Sequence, residues 1–188
     1  NINVDAKLGV FLRKSNIFLS VAWPFMSRQE DFLNQIQQYF ERKGYTLKKV
    51  QGQQSNQSST IRGVLNLMEE CEGMIVVAFK RMEIKEAVIR PRSDLDKASK
   101  YYRPSQRIQK KYKTSDWCNI EIGMAFGMNI PILIFLDECI LKQDIYTDDE
   151  IQILNFDVDK KDYNLELSFP EEWQNKVKAW ERKVRENE

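Results

Sequence analysis

The sequence predicts an α/β fold with an open, mainly parallel, doubly wound sheet and helices on both faces. Short apolar segments alternate with amphipathic segments in the order β-α-β-α-β-insertion-α-β-α, and this alternation is typical of parallel sheets with crossover helices. The segment 74–79 (MIVVAF) is apolar at every position, as strands covered on both faces usually are. Because 188 residues is the size of one domain, we expect a single domain over residues 1–188.

The first part of the chain predicts three strands and two helices. Glu30 follows Ser27 at the spacing of a capping box, so a helix is expected from Ser27 to Lys43, before Gly44. The strands are expected at Asn16–Val21, Tyr45–Val50 and Met74–Phe79. The second helix is expected to begin at caps within Ser58–Ser59–Thr60 and to carry one apolar face, formed by Ile61, Val64, Leu65 and Met68.

The second part predicts an insertion, two strands and two helices. Residues 80–114 are polar and basic and contain two prolines, so we expect a long, partly helical insertion into a core of about 16–136. The remaining elements are expected as a helix at Asp116–Met128, strands at Ile130–Leu136 and Ile151–Val158, and a C-terminal helix within about 168–186 that opens at Ser168, Pro170, Glu171 and Glu172.

The predicted sheet also indicates where a ligand would bind. Ligands of doubly wound sheets lie beyond the carboxyl ends of the strands, near the point where the strand order reverses. The loops after residues 21, 50, 79 and 136 should therefore share one rim, and the helix after the insertion should begin near it.

Composition excludes several classes of chemistry. The chain contains no histidine, so Ser-His-Asp triads, Cys-His dyads and HExxH zinc sites are excluded. Cys71, Cys118 and Cys139 match no metal or redox spacing and are expected to be reduced thiols in or near the core. We expect no metal and no bound cofactor. No apolar run reaches about 18 residues, so we expect a cytoplasmic protein without a membrane partner.

The net charge of +1 conceals two charged regions. Residues 80–114 carry 12 Lys or Arg against 4 Asp or Glu, whereas residues 137–188 carry 8 against 15. The near-neutral total argues against a general nucleic-acid-binding protein. The basic stretch contains three tyrosines, a composition that suits single-stranded nucleic acid, a pyrophosphate or an acidic partner, or a solvated insertion that pairs with the acidic tail.

Glu121 is the most informative candidate for a catalytic residue. It is the only charged residue between Trp117 and Asn129, in a segment apolar enough to predict a largely buried helix. A lone buried carboxylate costs several kcal/mol unless it is paired or faces a cavity. Trp117 lies one helical turn before Glu121, on the same face, where an indole could form the floor of a sugar or base site. The structural alternative is a buried Glu121 paired with an Arg or Lys or bonded to a helix terminus.

The segment KTSDWCNIEIGMAFGMNIPILIF resembles the catalytic segment of bacterial TIR domains. The resemblance covers about residues 16–136 and implies a flavodoxin-like, TIR-like fold. TIR domains of this type cleave the nicotinamide–ribose bond of NAD with the glutamate of a Trp-x-x-x-Glu pattern, which is Glu121 here. Arg62, before the strand at 74–79, also resembles the TIR layout.

A shorter piece, Glu-Ile-Gly-Met-Ala at 121–125, resembles nucleoside 2-deoxyribosyltransferases, whose glutamate attacks the anomeric carbon. The segment IFLSVAWPFMS fits both families, and its Pro24 and Phe25 resemble the transferases. We therefore expect Ser20, Ala22, Pro24 and Phe25 to line the substrate site. Trp23 could stack on a base or pack under a helix, and Arg62 could bind phosphate or remain solvated.

Both families act at C1′ of a ribose, where the departing base leaves positive charge on the sugar. A fixed carboxylate stabilises or captures that cation. Nicotinamide is already cationic in NAD, so its departure needs no acid, whereas a nucleoside base usually needs one. The sequence therefore favours NAD glycohydrolase or cyclase activity, with NAD or a related nucleotide as substrate. A deoxyribosyltransferase-like enzyme and a non-catalytic assembly or nucleotide-sensing module are the alternatives. The TIR resemblance also implies self-association, antiphage defence and a defence-system partner.

Overall fold

The computed structural model describes residues 15–50, 61–142, 144–147, 149–165 and 168–187. The strands are β1 (Asn16–Val21), β2 (Thr46–Lys48), β3 (Gly73–Ala78), β4 (Met82–Ile89), β5 (Gln106–Lys113), β6 (Ile132–Asp137) and β7 (Gln152–Phe156). The helices are α1 (Ser27–Arg42), α2 (Ile61–Met68), α3 (Asp116–Gly127) and α4 (Glu171–Glu186), with a 3-10 turn at Asp144–Thr147. No helix in these ranges is long and apolar enough to span a bilayer.

Five strands form one parallel sheet in the order β2-β1-β3-β6-β7. The predicted open, doubly wound α/β architecture is therefore confirmed. The chain moves from β1 outward to β2 and then crosses back to β3 on the other side of β1. This reversal places the topological switch point beside β1, and crevices at the carboxyl ends of such strands are where ligands of this fold class bind.

In the hydrophobic core, the central strands pack against helices from both ends of the chain, among them α1 and α4. Strands β3 and β6 are buried at every position, as the uniformly apolar segments predict. Phe32 of α1 stacks on Phe156 at 4.4 Å between ring centroids and meets Trp173 of α4 edge to face. On the other helical layer, α3 packs against β1, β3 and β6 and contacts α2. These contacts fix α3 above the carboxyl half of β1.

The insertion is not partly helical, contrary to the sequence prediction. Residues 82–113 form an antiparallel pair, β4 with β5, outside the main sheet. Its base is attached to the core by backbone hydrogen bonds from Tyr112 to Cys139 and from Leu141 to Tyr112, at 3.2 and 2.8 Å. The sequence did not predict these strands because they are highly charged. They bury little side-chain surface, so they lack the alternation of apolar and polar residues that identifies a strand.

Two helix starts also differ from the prediction. Helix α1 begins at Ser27 itself, so Ser27 and Glu30 do not form the predicted capping box; instead the Met26 carbonyl accepts from Gln29 and Glu30. Pro170 lies at the N-cap of α4 rather than in its first turn. The predicted caps of α2 at 58–60 lie outside the described residues.

Helix α3 is buried on one face rather than throughout. Cys118, Glu121, Ile122 and Ala125 are buried, whereas Trp117, Ile120 and Phe126 are nearly half exposed. The sequence could not show this difference because apolar residues surround the helix on every side. All three cysteines are free thiols, as predicted, with Cys71 and Cys118 buried.

Candidate active site

A cavity of about 190 Å³ opens at the carboxyl ends of β1 and β2. Its walls come from five elements of the fold: β1 and the loop after it, the end of β2, α1, α2 and the start of α3. The lining residues are Phe18, Leu19, Ser20, Val21, Trp23, Leu33, Lys49, Val50, Val64, Ser115, Trp117 and Glu121. Its position beside the switch point agrees with the rim that the sequence predicts.

Glu121 lies on the wall of this cavity and is only 9% exposed. The Ser20 hydroxyl, near the end of β1, donates a hydrogen bond to its carboxylate Oε2 at 2.5 Å. Burial raises the pKa of Glu121, and the Ser20 hydrogen bond opposes that rise. The site thus holds a desolvated carboxylate that one hydroxyl orients and partly stabilises in its charged form.

The surroundings of Glu121 do not match the structural alternative raised by the sequence. Among the described residues, no lysine or arginine lies within 4.0 Å of its carboxylate, and the side chain faces a cavity rather than solid packing. Structural ion pairs bury a carboxylate against a cation. The environment of Glu121 is instead that of a group available to a ligand.

The start of α3 is fixed so that the indole of Trp117 flanks the same cavity. Ser115 caps the helix, because its Oγ accepts the Trp117 backbone N–H at 3.3 Å. Trp117 lies one turn before Glu121 on the cavity wall and is 44% exposed. The predicted pairing of an indole and a carboxylate on one helix face is therefore present.

A second indole, that of Trp23, lines the cavity from the loop after β1. It is 62% exposed, so packing under a helix, one of the two alternatives raised by the sequence, is wrong. The Arg81 guanidinium donates to the Trp23 carbonyl at 2.6 Å and holds this loop against the base of the β4–β5 hairpin. Two exposed indoles at one cavity give flat apolar surfaces suited to a planar ring.

The other predicted site residues lie around the cavity without lining it. Ala22 is buried, and its backbone N–H donates to Val77 at 3.1 Å. Pro24 is half-buried, and the exposed Phe25 donates its backbone N–H to Gln29. Arg62 is exposed in the first turn of α2. Their roles in binding remain predictions.

Lys49 is the residue of greatest chemical interest that the sequence did not single out. It follows β2 directly, and partial burial lowers its pKa while Glu41 opposes that shift. Among the described residues of the cavity wall, Lys49 and Glu121 are the only ionisable groups apart from neutral hydroxyls. The sequence signal that could have identified Lys49 is its place next to the loop after residue 50, which is predicted to lie on the ligand-binding rim. Leu33 and Val64 come from helices, and only the tertiary packing brings them here.

Cys118 lies behind the Ser20–Glu121 pair. Burial raises the pKa of its thiol to about 11. A thiol in this state is neutral and a poor nucleophile at neutral pH. Cys118 is therefore a buried packing residue, and Glu121 is the group in the cavity able to bear a negative charge.

No family model matches the chain, and no curated protein matches it. The solved structures that are similar at low identity include the following two. A CMP N-glycosidase, BcmB from Clostridium botulinum, is 15% identical over 88% of this chain and 98% of its own, with a TM-score of 0.48. FerB, an NAD(P)H:(acceptor) oxidoreductase flavoenzyme from Paracoccus denitrificans, is 10% identical over 92% and 98%, with a TM-score of 0.44. Because both TM-scores are below 0.5, neither likeness bears on the chemistry of the cavity.

Proposed function

We propose that the protein is an N-glycosidase that cleaves the nicotinamide–ribose bond of NAD or a closely related nucleotide, with Glu121 as the catalytic carboxylate. The observation that carries this proposal is a buried carboxylate on a cavity wall, bonded to Ser20 rather than to a cation. Such a group can stabilise positive charge developing on a ribose in a site of low polarity.

The reaction begins when the C1′–N bond breaks and its electron pair leaves with nicotinamide, which departs as a neutral molecule. The ribosyl cation is then stabilised by Glu121 or captured as a covalent ester. Addition of water at C1′ gives ADP-ribose and one proton, and attack by the adenine of the same molecule gives a cyclic product. Trp117 and Trp23 provide the surfaces on which the rings of the substrate stack.

The absence of a second carboxylate, a tyrosine or a histidine on the described cavity wall favours a leaving group that needs no protonation. Neither a second carboxylate nor a tyrosine lines the cavity among these residues, and the chain has no histidine. Nicotinamide meets this requirement because it is already cationic before the bond breaks. This argument supports NAD over a neutral nucleoside.

A nucleoside or nucleotide is the second candidate substrate, and Lys49 is the observation in its favour. An ammonium on the cavity wall could donate a proton to a departing base or bind a phosphate. The resemblance to nucleoside 2-deoxyribosyltransferases supports the same alternative.

The deciding experiment is mass spectrometry of products after the protein is incubated in parallel with NAD and with mixtures of deoxynucleosides and free bases. We expect nicotinamide with ADP-ribose or its cyclic form. Exchange of bases between deoxynucleosides, with NAD left intact, would support the transferase instead. If every substrate remains intact at high protein concentration, the non-catalytic module is favoured. A dilution series tests self-association, because activity per subunit should then fall on dilution.

The acid limb of the pH profile should move when Ser20 is replaced by alanine. Glu121 must be ionised to act, and its pKa is raised, so activity is present above that pKa and is lost as the pH falls through it. Ser20 lowers the pKa, so Ser20→Ala should shift the acid limb of kcat/KM to higher pH. Ser27→Ala, at an exposed serine outside the cavity, is the matched control. An unchanged acid limb in Ser20→Ala would show that Glu121 is not the titrating group.

A further inference from the structure

The β4–β5 hairpin and its connecting segment carry most of the positive charge of the chain's basic region. Within residues 80–114, ten of the twelve Lys and Arg side chains are exposed. The other two form ion pairs at the base of the hairpin. Buried Lys80 pairs with Asp159, and half-buried Lys113 lies 3.3 Å from Asp116. The exposed residues are Arg81, Lys85, Arg90, Arg92, Lys97, Lys100, Arg103, Arg107, Lys110 and Lys111.

The acidic C-terminal region does not neutralise these exposed cations. Among the described residues, Lys80–Asp159 is the only ion pair that joins the insertion to residues 137–188. Lys85, Lys110 and Lys111 have no carboxylate within 4.0 Å in the same part of the chain. The hairpin therefore presents a concentrated positive field to solvent, which attracts anions.

The ribbon spreads this charge along its length. Lys111 pairs with Ile84 near the base. Arg107, which lies 3.5 Å from Glu86, pairs with Val88 nearer the connecting segment. Lys110, between them, has a positive φ of 51° that interrupts the alternation of side chains along β5. Exposed cations spread along an extended ribbon match a chain of regularly spaced negative charges better than they match one small anion.

An exposed aromatic ring accompanies the charge. Tyr101, in the segment that connects the strands, is 71% exposed, and the Lys100 ammonium lies 4.9 Å from its ring centroid. An exposed tyrosine beside a cation offers a stacking surface for a base and a contact for the adjoining phosphate. An acidic polypeptide would form ion pairs with the lysines and arginines but would offer no base to stack on the Tyr101 ring.

We propose that the β4–β5 hairpin binds single-stranded nucleic acid, with its exposed cations on the phosphates and Tyr101 stacked on a base. The near-neutral charge of the whole chain, which argues against general nucleic-acid binding, conceals this local surface. A single strand is favoured over a duplex because its bases are free to stack. The proposal is independent of the activity proposed for the Glu121 cavity.

The test is fluorescence anisotropy of the full chain with a labelled oligothymidylate from 50 to 300 mM salt. Three variants are compared with the wild type: Lys85→Gln/Lys110→Gln/Lys111→Gln, Tyr101→Ala, and a matched control, Lys142→Gln/Lys176→Gln/Lys178→Gln. The control lysines are exposed and lie outside the hairpin. Unlabelled duplex DNA and polyglutamate serve as competitors.

We expect wild-type affinity to fall steeply with salt. The hairpin triple variant should reduce the slope of log K against log salt by about 2, since each phosphate contact on a single strand contributes about 0.7. Tyr101→Ala should weaken binding about fivefold to a hundredfold, and the control triple variant should bind like the wild type.

Three results would overturn the proposal. The first is no binding at 50 mM salt, and the second is equal weakening by the hairpin and control triple variants. The third is binding that is insensitive to Tyr101→Ala and displaced by duplex DNA or polyglutamate as readily as by oligothymidylate, which would identify a surface for duplexes or acidic proteins instead.

Discussion

Glu121→Gln is expected to lower nicotinamide release from NAD by about a thousandfold or more, the scale on which loss of a principal charge-stabilising or catalytic group acts. Glutamine keeps the size of the side chain and can still bond to Ser20, but it cannot carry the negative charge that faces the ribosyl cation. The measurement is nicotinamide production by chromatography at saturating NAD. Glu69→Gln, at an exposed glutamate outside the cavity, should retain wild-type activity.

The same substitution should not destabilise the fold. Burial raises the pKa of Glu121, so the folded protein disfavours the charged form relative to the unfolded chain. This loss of folding stability begins as the pH rises above the pKa that Glu121 has in the unfolded chain. It is complete above the higher pKa that Glu121 has in the folded protein. Glu121→Gln removes it, so Tm at pH 7.5 should be equal to or higher than that of the wild type. Full turnover by a folded Glu121→Gln protein would remove Glu121 from the mechanism, whereas a large fall in Tm would indicate a structural role.

Phe32→Ala is expected to lower the free energy of unfolding by about 3–5 kcal/mol, the usual loss when a buried aromatic side chain is truncated to alanine. Phe32 is 1% exposed and contacts four rings of the core, from β6, β7, the residue after β3 and α4: Phe135, Phe156, Phe79 and Trp173. Domains are stable by only about 5–15 kcal/mol, so the loss is a large share of the total. Urea denaturation followed by tryptophan fluorescence measures it.

Phe126→Ala is the control for Phe32→Ala because it removes the same side chain from a position that is 44% exposed. A change within about 1 kcal/mol is expected there, since partly exposed positions leave a smaller cavity. If Phe32→Ala cost no more than Phe126→Ala, the aromatic cluster between α1 and α4 would not be the centre of the core.

The central strands of the main sheet, β1, β3 and β6, could be predicted because each is a short, mainly apolar segment. The predicted range Asn16–Val21 coincides with β1, and the segment at 74–79 overlaps β3 at Gly73–Ala78. Register and strand order could not be read in the same way. They depend on which apolar faces meet, and the pairing of Phe18 with Lys48 and with Met74 on opposite sides of β1 follows from no local pattern.

The insertion at residues 80–114, predicted to be partly helical, shows the opposite case. Its charge is visible in the sequence, but its β structure is not, because two strands held mainly to each other bury little on either face. Their stability comes from cross-strand hydrogen bonds and from attachment at the base through Lys80 and Tyr112, and these are contacts between distant residues.

By itself, the sequence determined the alternation that requires a parallel α/β sheet, the absence of histidine chemistry, and the isolation of Glu121 one turn after Trp117 in an apolar helix. Only the tertiary structure decided that this carboxylate meets Ser20, 101 residues away, beside a cavity that Trp23 and Lys49 also line. The physical reason is that helical spacing sets which side chains share a face, whereas burial, hydrogen bonding and open space depend on which face of the sheet that helix covers.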